Sequence, residues 1–193
     1  MKYYNNFNNK NADGQSIIHL INLLLTEKII GIEIGVSTGL TFCTFLQQCP
    51  NIVELHGIDP YMPYIDYLKY EYDGNPLYVI DEKEIDFAKI TAMHNIKYSG
   101  HAEKVIFHHE KSQEVVKTIT DCYFDFIFLD SYMKPGEIYE EMTSWYPKLK
   151  HNGLFAGHDW DCDSVRKEVE YFFNSNNINR YSVFDNTWCF IKK

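Results

Sequence analysis

Polar residues suited to acid–base or ligand chemistry follow five apolar segments of this 193-residue chain, each at the point where its segment ends. The five sets are Glu33 with Gly35 and Gly39, Asp59, Glu110-Lys111-Ser112, Asp130, and His158-Asp159. Any one set is explained equally well by a strand end or a helix cap. Five sets in succession are difficult to attribute to capping alone, so we expect them to form a common site.

The glycine turn after the first segment suits close contact with a ligand, because glycine tolerates unusual dihedrals and carries no side chain. Glu33 suits an amino group better than a phosphate, and Asp59 can accept hydrogen bonds from both hydroxyls of a ribose. The spacing of Gly35 and Gly39 lacks the third glycine of the dinucleotide-binding fingerprint. A tight turn that binds no ligand accounts for these glycines about as well.

Apolar runs and helical spacing predict the elements that position these residues. Continuous apolar runs predict buried parallel strands at 29–34, 53–58, 105–109, 124–129 and 153–157. Helical spacing predicts helices at 16–26, 38–48 (with Ser37 as N-cap), 82–98, 112–119, 136–149 and 164–174. Segments 181–184 and 188–191 predict a closing hairpin. We therefore expect an α/β fold, a Rossmann-like three-layer αβα sandwich whose mainly parallel sheet ends in a C-terminal antiparallel hairpin.

The predicted domain organisation is one domain with one irregular insertion. Residues 1–15 are expected to be a loose N-terminal tail, and residues 16–193 the domain. Segment 60–81 is rich in tyrosine and has no clean period, which is typical of a functional loop. We interpret it as a lid over a substrate; equally, its aromatic rings could pack on the partner subunit of a homodimer.

Composition and charge argue against several classes of protein. The net charge of −9 disfavours sequence-independent nucleic-acid binding, which requires a basic face. The five cysteines show no paired spacing, so neither a disulfide scaffold nor a zinc site is expected. No apolar run is long enough for a membrane span and no export signal is visible, so the sequence predicts a cytoplasmic protein without a membrane partner.

Four motifs resemble those of the class I S-adenosylmethionine-dependent methyltransferases. They read E-I-G-V-S-T-G from Glu33, G-I-D-P around Asp59, F-D-F-I-F-L-D up to Asp130, and N-G-L-F-A-G-H-D-W up to Trp160. Within that class the chain is similar to the methyltransferase domain 24 family, whose relatives include sugar and small-molecule O-methyltransferases. The similarity extends over residues 16–175.

The resemblance implies S-adenosylmethionine as the cofactor and assigns residues to its parts. The methionine part would contact Glu33, Gly35, Ser37, Thr38 and Gly39. Asp59 would bind the ribose, and Glu110, Lys111 and Ser112 would contact the adenine. Asp130 lies where cofactor and acceptor meet. The implied acceptor is a hydroxyl on a sugar or another small molecule.

The predicted catalytic residues are Asp130, His158 and Asp159. His158 is preferred as general base because the ordinary pKa of histidine is near neutrality. The alternative is that His158 orients Asp159 or caps the next helix. The resemblance also implies a divalent cation such as Mg²⁺ on Asp130 and Asp159, with His158, or alternatively Asp161, as the third ligand. A metal-free acid pair arranged around a water is the alternative.

The segment after Asp130 departs from the family pattern. Family members often read D-x-D-H-S-Y, whereas this chain has Tyr132 and Met133 in place of the second aspartate and the histidine. A catalytic or binding role that depends on the family's histidine therefore cannot be assigned to this chain. A non-catalytic cofactor-binding or assembly protein is therefore one alternative function. A nicotinamide-dependent oxidoreductase is a second, disfavoured by the missing third glycine.

Overall fold

The computed structural model describes residues 15–66, 78–131, 134 and 136–193. Of the predicted tail, only Gln15 lies in this described part. The middle of segment 60–81 lies outside it, as do Tyr132, Met133 and Pro135. The predictions made for those residues stay predictions.

The described strands and helices alternate along most of the chain. The strands are β1 (Ile29–Ile34), β2 (Ile52–Ile58), β3 (Tyr64–Asp66), β4 (Tyr78–Ile80), β5 (Val105–His108), β6 (Phe124–Leu129), β7 (Leu149–Gly157), β8 (Ser182–Phe184) and β9 (Thr187–Ile191). The helices are α1 (Gln15–Leu24), α2 (Leu40–Gln48), α3 (Glu82–Tyr98), α4 (Ser112–Val115), α5 (Ile138–Trp145) and α6 (Asp163–Ser175). None of the helices in these ranges is both long and apolar enough to cross a membrane.

Seven strands form one sheet in the order β5-β2-β1-β6-β7-β9-β8. The first five run parallel, β9 runs antiparallel to β7, and β8 runs antiparallel to β9. The predicted α/β fold with its C-terminal antiparallel hairpin is thereby confirmed. Strand order reverses between β1 and β6, and ligands of such sheets bind at the carboxyl ends of the strands beside this reversal.

Two apolar layers cover the two faces of the sheet. Alternate residues of β6 point into the two layers. Phe126 and Phe128 pack with α1, α2 and α3, whereas Ile127 packs with α5 and α6. On the first face, Phe45 meets the rings of both phenylalanines at 5.5 Å. The two-sided burial explains why these strands read as unbroken apolar runs.

Two local predictions are wrong, each for a backbone reason. Ser37 does not cap α2; the helix begins later, and its N-cap is Gly39 in the left-handed region at φ 75°. The helix predicted to reach residue 149 ends at Trp145 in a short 3₁₀ turn that contains Pro147, a residue that cannot donate a helical hydrogen bond. Leu149 then joins β7 opposite Phe124, so this strand starts earlier than predicted.

Segment 60–81 is less irregular than its composition predicts. Its described ends form the antiparallel pair β3 and β4, in which Tyr64 faces Ile80 and Asp66 faces Tyr78. Three alternating positions per strand are too few for the sequence to reveal a period of two.

Candidate active site

Backbone hydrogen bonds continue one residue beyond four of the parallel strands. The amides of Gly35, Asp59, Asp130 and His158 donate to the carbonyls of Ile58, His108, Ile34 and Leu129 at 2.8–3.1 Å. The first residue after each strand is therefore held as rigidly as the strand itself. This brings the four predicted site residues to one edge of the sheet.

A cleft of about 1480 Å³ opens over this edge. Its inner side consists of residues that follow β1, β2, β5, β6 and β7 and of residues on and before α5. Its outer side consists of β3 with the two residues before it, β4 and α3. The predicted site residues that line it are Gly35, Ser37, Thr38, Asp59, Lys111, Ser112, Asp130 and Asp159.

The other predicted residues lie around the cleft. Glu33 is buried within β1. Gly39 begins α2 and packs on Ala92 of α3, where a Cβ atom would lie 3.3 Å from the Cα of that alanine. Glu110 is exposed. His158 lines a second, smaller cavity next to the cleft.

The glycine turn packs directly on the end of β6. Gly35 has φ 91°, a region that L side chains rarely adopt, and a Cβ atom there would lie 2.3 Å from the carbonyl oxygen of Asp130. A side chain at this position would therefore separate the turn from Asp130. The glycine keeps the two predicted cofactor contacts next to each other.

The Asp59 carboxylate is held by three backbone amides. Its Oδ2 accepts from the N–H groups of Val36 at 3.2 Å and Ser37 at 2.8 Å, and its Oδ1 accepts from that of Tyr61 at 2.9 Å. Burial raises the pKa of Asp59, although the three amides oppose the shift. A carboxylate offers about four acceptor positions, so about one stays available to a ribose hydroxyl.

Tyr61 joins the end of β2 to the glycine turn. Its phenol donates a hydrogen bond to the carbonyl of Ser37 at 2.9 Å, and its buried ring lies parallel to that of Phe107. Burial raises the pKa of the phenol, which therefore stays a donor. The residue has φ 48°, which costs roughly 1–3 kcal/mol in a non-glycine residue. The hydrogen bond and the packing offset this cost.

Glu141 is a site residue that the sequence analysis missed. It lines the cleft, is only 2% exposed, and accepts hydrogen bonds from Ser112 Oγ, from Gln113 Nε2 at 3.0 Å and from Trp145 Nε1 at 3.2 Å. Burial raises the pKa of this carboxyl group. Glu141 is three residues after Ile138 and four before Trp145, which places it on the apolar face of α5. That position was the signal in the sequence.

Asp130, His158 and Asp159 form a half-buried group, called the trio below. The Nδ1 atom of His158 lies 3.1 Å from Asp159 Oδ1 and 3.7 Å from Asp130 Oδ1. One ligand atom from each residue lies within 4.8 Å of the others. Asp159 has φ 61°, which aspartate tolerates better than most residues. This backbone turn brings its carboxylate back to His158.

Comparison with known families decides the class of this site. The sequence model of the methyltransferase domain 24 family, described as a methyltransferase domain, matches residues 32–160, which is more than half of the chain. The chain belongs to this family. It is an S-adenosylmethionine-dependent methyltransferase of class I fold, as its four motifs predict. No curated protein matches it by sequence.

Solved structures that resemble this methyltransferase share its fold at low sequence identity. A putative caffeoyl-CoA O-methyltransferase from Staphylococcus aureus has a TM-score of 0.64 and 17% identity, over 94% of this chain and 85% of that chain. The O-methyltransferase TomG from Streptomyces achromogenes, solved in complex with SAM, has a TM-score of 0.60 and 13% identity, over 93% and 79%. A precorrin 8w decarboxylase from Methanobacterium thermoautotrophicum has a TM-score of 0.60 and 15% identity, over 97% and 94%. Because proteins with such different names share this fold, the structural similarity establishes the fold and not the substrate.

Proposed function

We propose that this methyltransferase transfers the methyl group to a hydroxyl oxygen of a small molecule. The observation that carries the proposal is the trio, whose Asp130 and Asp159 line the cleft beside the glycine turn. Transfer to oxygen requires a group that takes up the hydroxyl proton. Two carboxylates beside an imidazole can take it up, so the trio suits an oxygen acceptor.

The residues on the inner side of the cleft have the polar groups and the open space that S-adenosylmethionine requires. The turn at Gly35 admits a ligand next to Asp130, and the Asp59 carboxylate keeps an acceptor position for a ribose hydroxyl. Ser112, Gln113 and the buried Glu141 supply a polar end for the adenine. The bound cofactor supplies a methyl group that its sulfonium already activates for displacement.

The work left to the chain is to align the acceptor and remove its proton. In the proposed step the acceptor oxygen bonds to the methyl carbon as the carbon–sulfur bond breaks, and its proton passes to the trio. Asp159 and Asp130 receive the hydroxyl, and His158 shares the proton with Asp159 through Nδ1. Holding the two reactants in line accounts for a large part of such catalysis.

We also propose that the acceptor presents an apolar body to the outer side of the cleft. The apolar residues there are Met62, Pro63, Tyr64, Ile65, Ile80 and Phe87. Met62 and Phe87 are 51% and 46% exposed, so much apolar surface can still be buried by a ligand. An aryl alcohol suits this surface better than a free sugar, whose hydroxyls would lose hydrogen bonds to water there.

The trio also fits a divalent cation. Ligand atoms on one octahedral ion lie roughly 3 Å apart, since their bonds are about 2.1 Å long. The His158–Asp159 and His158–Asp130 separations of 3.1 and 3.7 Å are near this value. Because one ligand is an imidazole, we propose Mn²⁺ or another first-row transition metal in preference to Mg²⁺.

Metal binding is tested by calorimetric titration of Mn²⁺ into the protein and into two matched variants. We expect binding to be lost in Asp159→Asn and kept in Asp161→Asn, because Asp161 is exposed and lies outside the trio. EDTA should then reduce turnover in the unsubstituted protein. Equal Mn²⁺ binding by both variants, or none by the unsubstituted protein, would favour the metal-free acid pair.

The proposed reaction is tested in two steps. Calorimetric titration of S-adenosylhomocysteine first checks that the cofactor site is intact. Labelled S-adenosylmethionine is then supplied with a panel of aryl alcohols and sugars, and NMR identifies the methylated atom. We expect O-methyl products, formed mainly from the aryl alcohols. N-methyl or C-methyl products would contradict the oxygen acceptor, and binding without transfer across the panel would favour the non-catalytic alternative.

A further inference from the structure

A small cavity of about 20 Å³ adjoins the cleft at the trio. Asp130, Ser131 and Asp159 line both the cleft and the small cavity. Among the described residues, His158 and Trp188 line the small cavity but not the cleft. The rest of its lining is apolar and consists of Leu129, Ile138 and Val165. The trio therefore has a second polar surface on the side away from the acceptor.

Trp188 brings a buried donor to this cavity. Its side chain is 1% exposed and packs over Gly157, where a Cβ atom would lie 2.7 Å from Cε2, the ring carbon bonded to Nε1. Gly157 immediately precedes His158, and Trp188 lines the small cavity together with the three residues of the trio. Among the described residues, this N–H finds no hydrogen-bond acceptor.

Ser131 adds a second polar group. Its hydroxyl is buried and likewise has no hydrogen-bond partner in the described part of the chain. Leaving one buried polar group without a partner costs about 1–3 kcal/mol. Two such groups on one small cavity point to a ligand that both can bind.

The chemistry of the lining determines which ligand this is. An indole N–H only donates, so the ligand must accept a hydrogen bond, which excludes a metal ion as its partner. An anion would lie against the carboxylates of Asp130 and Asp159. A cavity needs roughly 10–15 Å³ to hold one water, and a buried water commonly makes about three hydrogen bonds. Water meets each of these conditions.

We propose that Trp188 and Ser131 hold one structural water, which donates hydrogen bonds to the trio from the side away from the cleft. The water accepts from the Trp188 N–H and bonds the Ser131 hydroxyl, and its hydrogens reach the carboxylate or imidazole acceptors. Trp188 is then a positioning residue that acts on Asp130 and His158 through this water. The site exists whether or not the acceptor is a hydroxyl.

The water is tested directly by NMR on ¹⁵N-labelled protein, which requires no turnover. We expect a cross-peak between the Trp188 indole proton and a long-lived water. Trp145 provides an internal control, because its indole donates to Ser112 Oγ at 2.7 Å, and it should show no such peak. A crystal structure should place the water about 2.7–3.2 Å from Trp188 Nε1. A protein atom bonded to this N–H, or no water peak, would overturn the proposal.

Two substitutions test the role of the water. Trp188→Phe keeps an aromatic ring against Phe155 and Phe173 but removes the donor. Ser131→Ala serves as the second variant and removes the hydroxyl without touching the core. We expect either to displace the water and to lower kcat by roughly tenfold, with the Kd for S-adenosylhomocysteine unchanged. A bound water that persists in both variants, or an unchanged kcat after its loss, would contradict the role of Trp188.

Discussion

The two sides of the cleft are built by different physical means. On the inner side, backbone amides and carbonyls fix the polar groups: Asp59 accepts from three amides, and Tyr61 and Asn95 each donate to a carbonyl of the glycine turn. On the outer side, β3, β4 and α3 present apolar side chains, several with large exposed areas, next to the charged Asp66, Lys83 and Glu84. The inner side is rigid and specific for one shape. The outer side can adapt to different ligands.

We propose that this difference corresponds to the two substrates that a methyltransferase must bind. Its cofactor is always the same molecule, so hydrogen-bonding groups fixed in one geometry can bind it tightly. The acceptor varies between relatives, and contacts that depend mainly on buried area tolerate variation. We therefore expect substitutions on the inner side to abolish cofactor binding, and substitutions on the outer side to change the acceptor preference.

The largest effect is expected from Asp59→Asn on the inner side. The amide removes the negative charge and turns one acceptor atom into a donor that faces backbone N–H groups. Charged hydrogen bonds are worth about 1.5–3 kcal/mol, so the Kd for S-adenosylhomocysteine should rise on the order of 100-fold by calorimetry. Asp66→Asn is the matched control, because Asp66 lines the outer side of the same cleft. Equal losses in both variants would remove the distinction between the sides.

A smaller and opposite pattern is expected for Phe87→Ala. Loss of the apolar contact should raise the KM for an aryl acceptor about tenfold and leave the Kd of the cofactor unchanged. Ile90→Ala is the control, since Ile90 is also an exposed apolar residue of α3 but lies outside the cleft lining. A change in KM with Ile90→Ala, or none with Phe87→Ala, would show that the outer side does not contact the acceptor.

The inner side was predictable because its residues follow strands. Apolar runs mark buried strands, and the residue after each run is placed at the sheet edge by the parallel ladder. Gly35, Asp59, Asp130 and His158 were placed correctly in this way. Glu141 was not, because it lies within a helix and not after a strand, and its place on the apolar face of α5 was not used.

The outer side could not be predicted at the same level. β3 and β4 have three residues each, and their pairing depends on contacts across the segment between them. Nor does the sequence indicate that His158 lines the small cavity while Asp159 lines the cleft. That arrangement follows from the left-handed backbone at Asp159, which no residue type requires.

Tyr61→Phe tests how the inner side is held together. The variant keeps the buried ring but loses the hydrogen bond to Ser37, which is worth about 1 kcal/mol. We expect the melting temperature to fall by roughly 2–4 °C and the Kd of the cofactor to rise only a few-fold. A loss of binding comparable to that of Asp59→Asn would mean that Tyr61 organises the inner side by itself.

The smallest effect concerns β2 and β5 beneath Asp59, where acidification should weaken a network of two histidines and a glutamate. His56 Nδ1 lies 3.0 Å from His108 Nε2, and His56 Nε2 lies 2.9 Å from Glu54, so a single proton between the two facing ring nitrogens completes this network. Burial, and next the charge of His56, lowers the pKa of His108. Its unfolded pKa is about 6.5. The network therefore contributes fully above that pH, and its contribution is lost as pH falls from there through the lower folded pKa.

Urea unfolding at about pH 7.5 and about pH 5.5 measures this loss, which we expect to be smaller than the effect of Tyr61→Phe. His108→Gln is the matched variant, because its amide can still donate to His56 Nδ1 but does not titrate. The pH-dependent loss should therefore shrink in the variant. A loss of the same size in both proteins would assign the acid sensitivity to groups other than this pair. In that case the polar network under Asp59 stabilises the inner side by its hydrogen bonds at any pH, and its rigidity does not depend on the protonation state of His108.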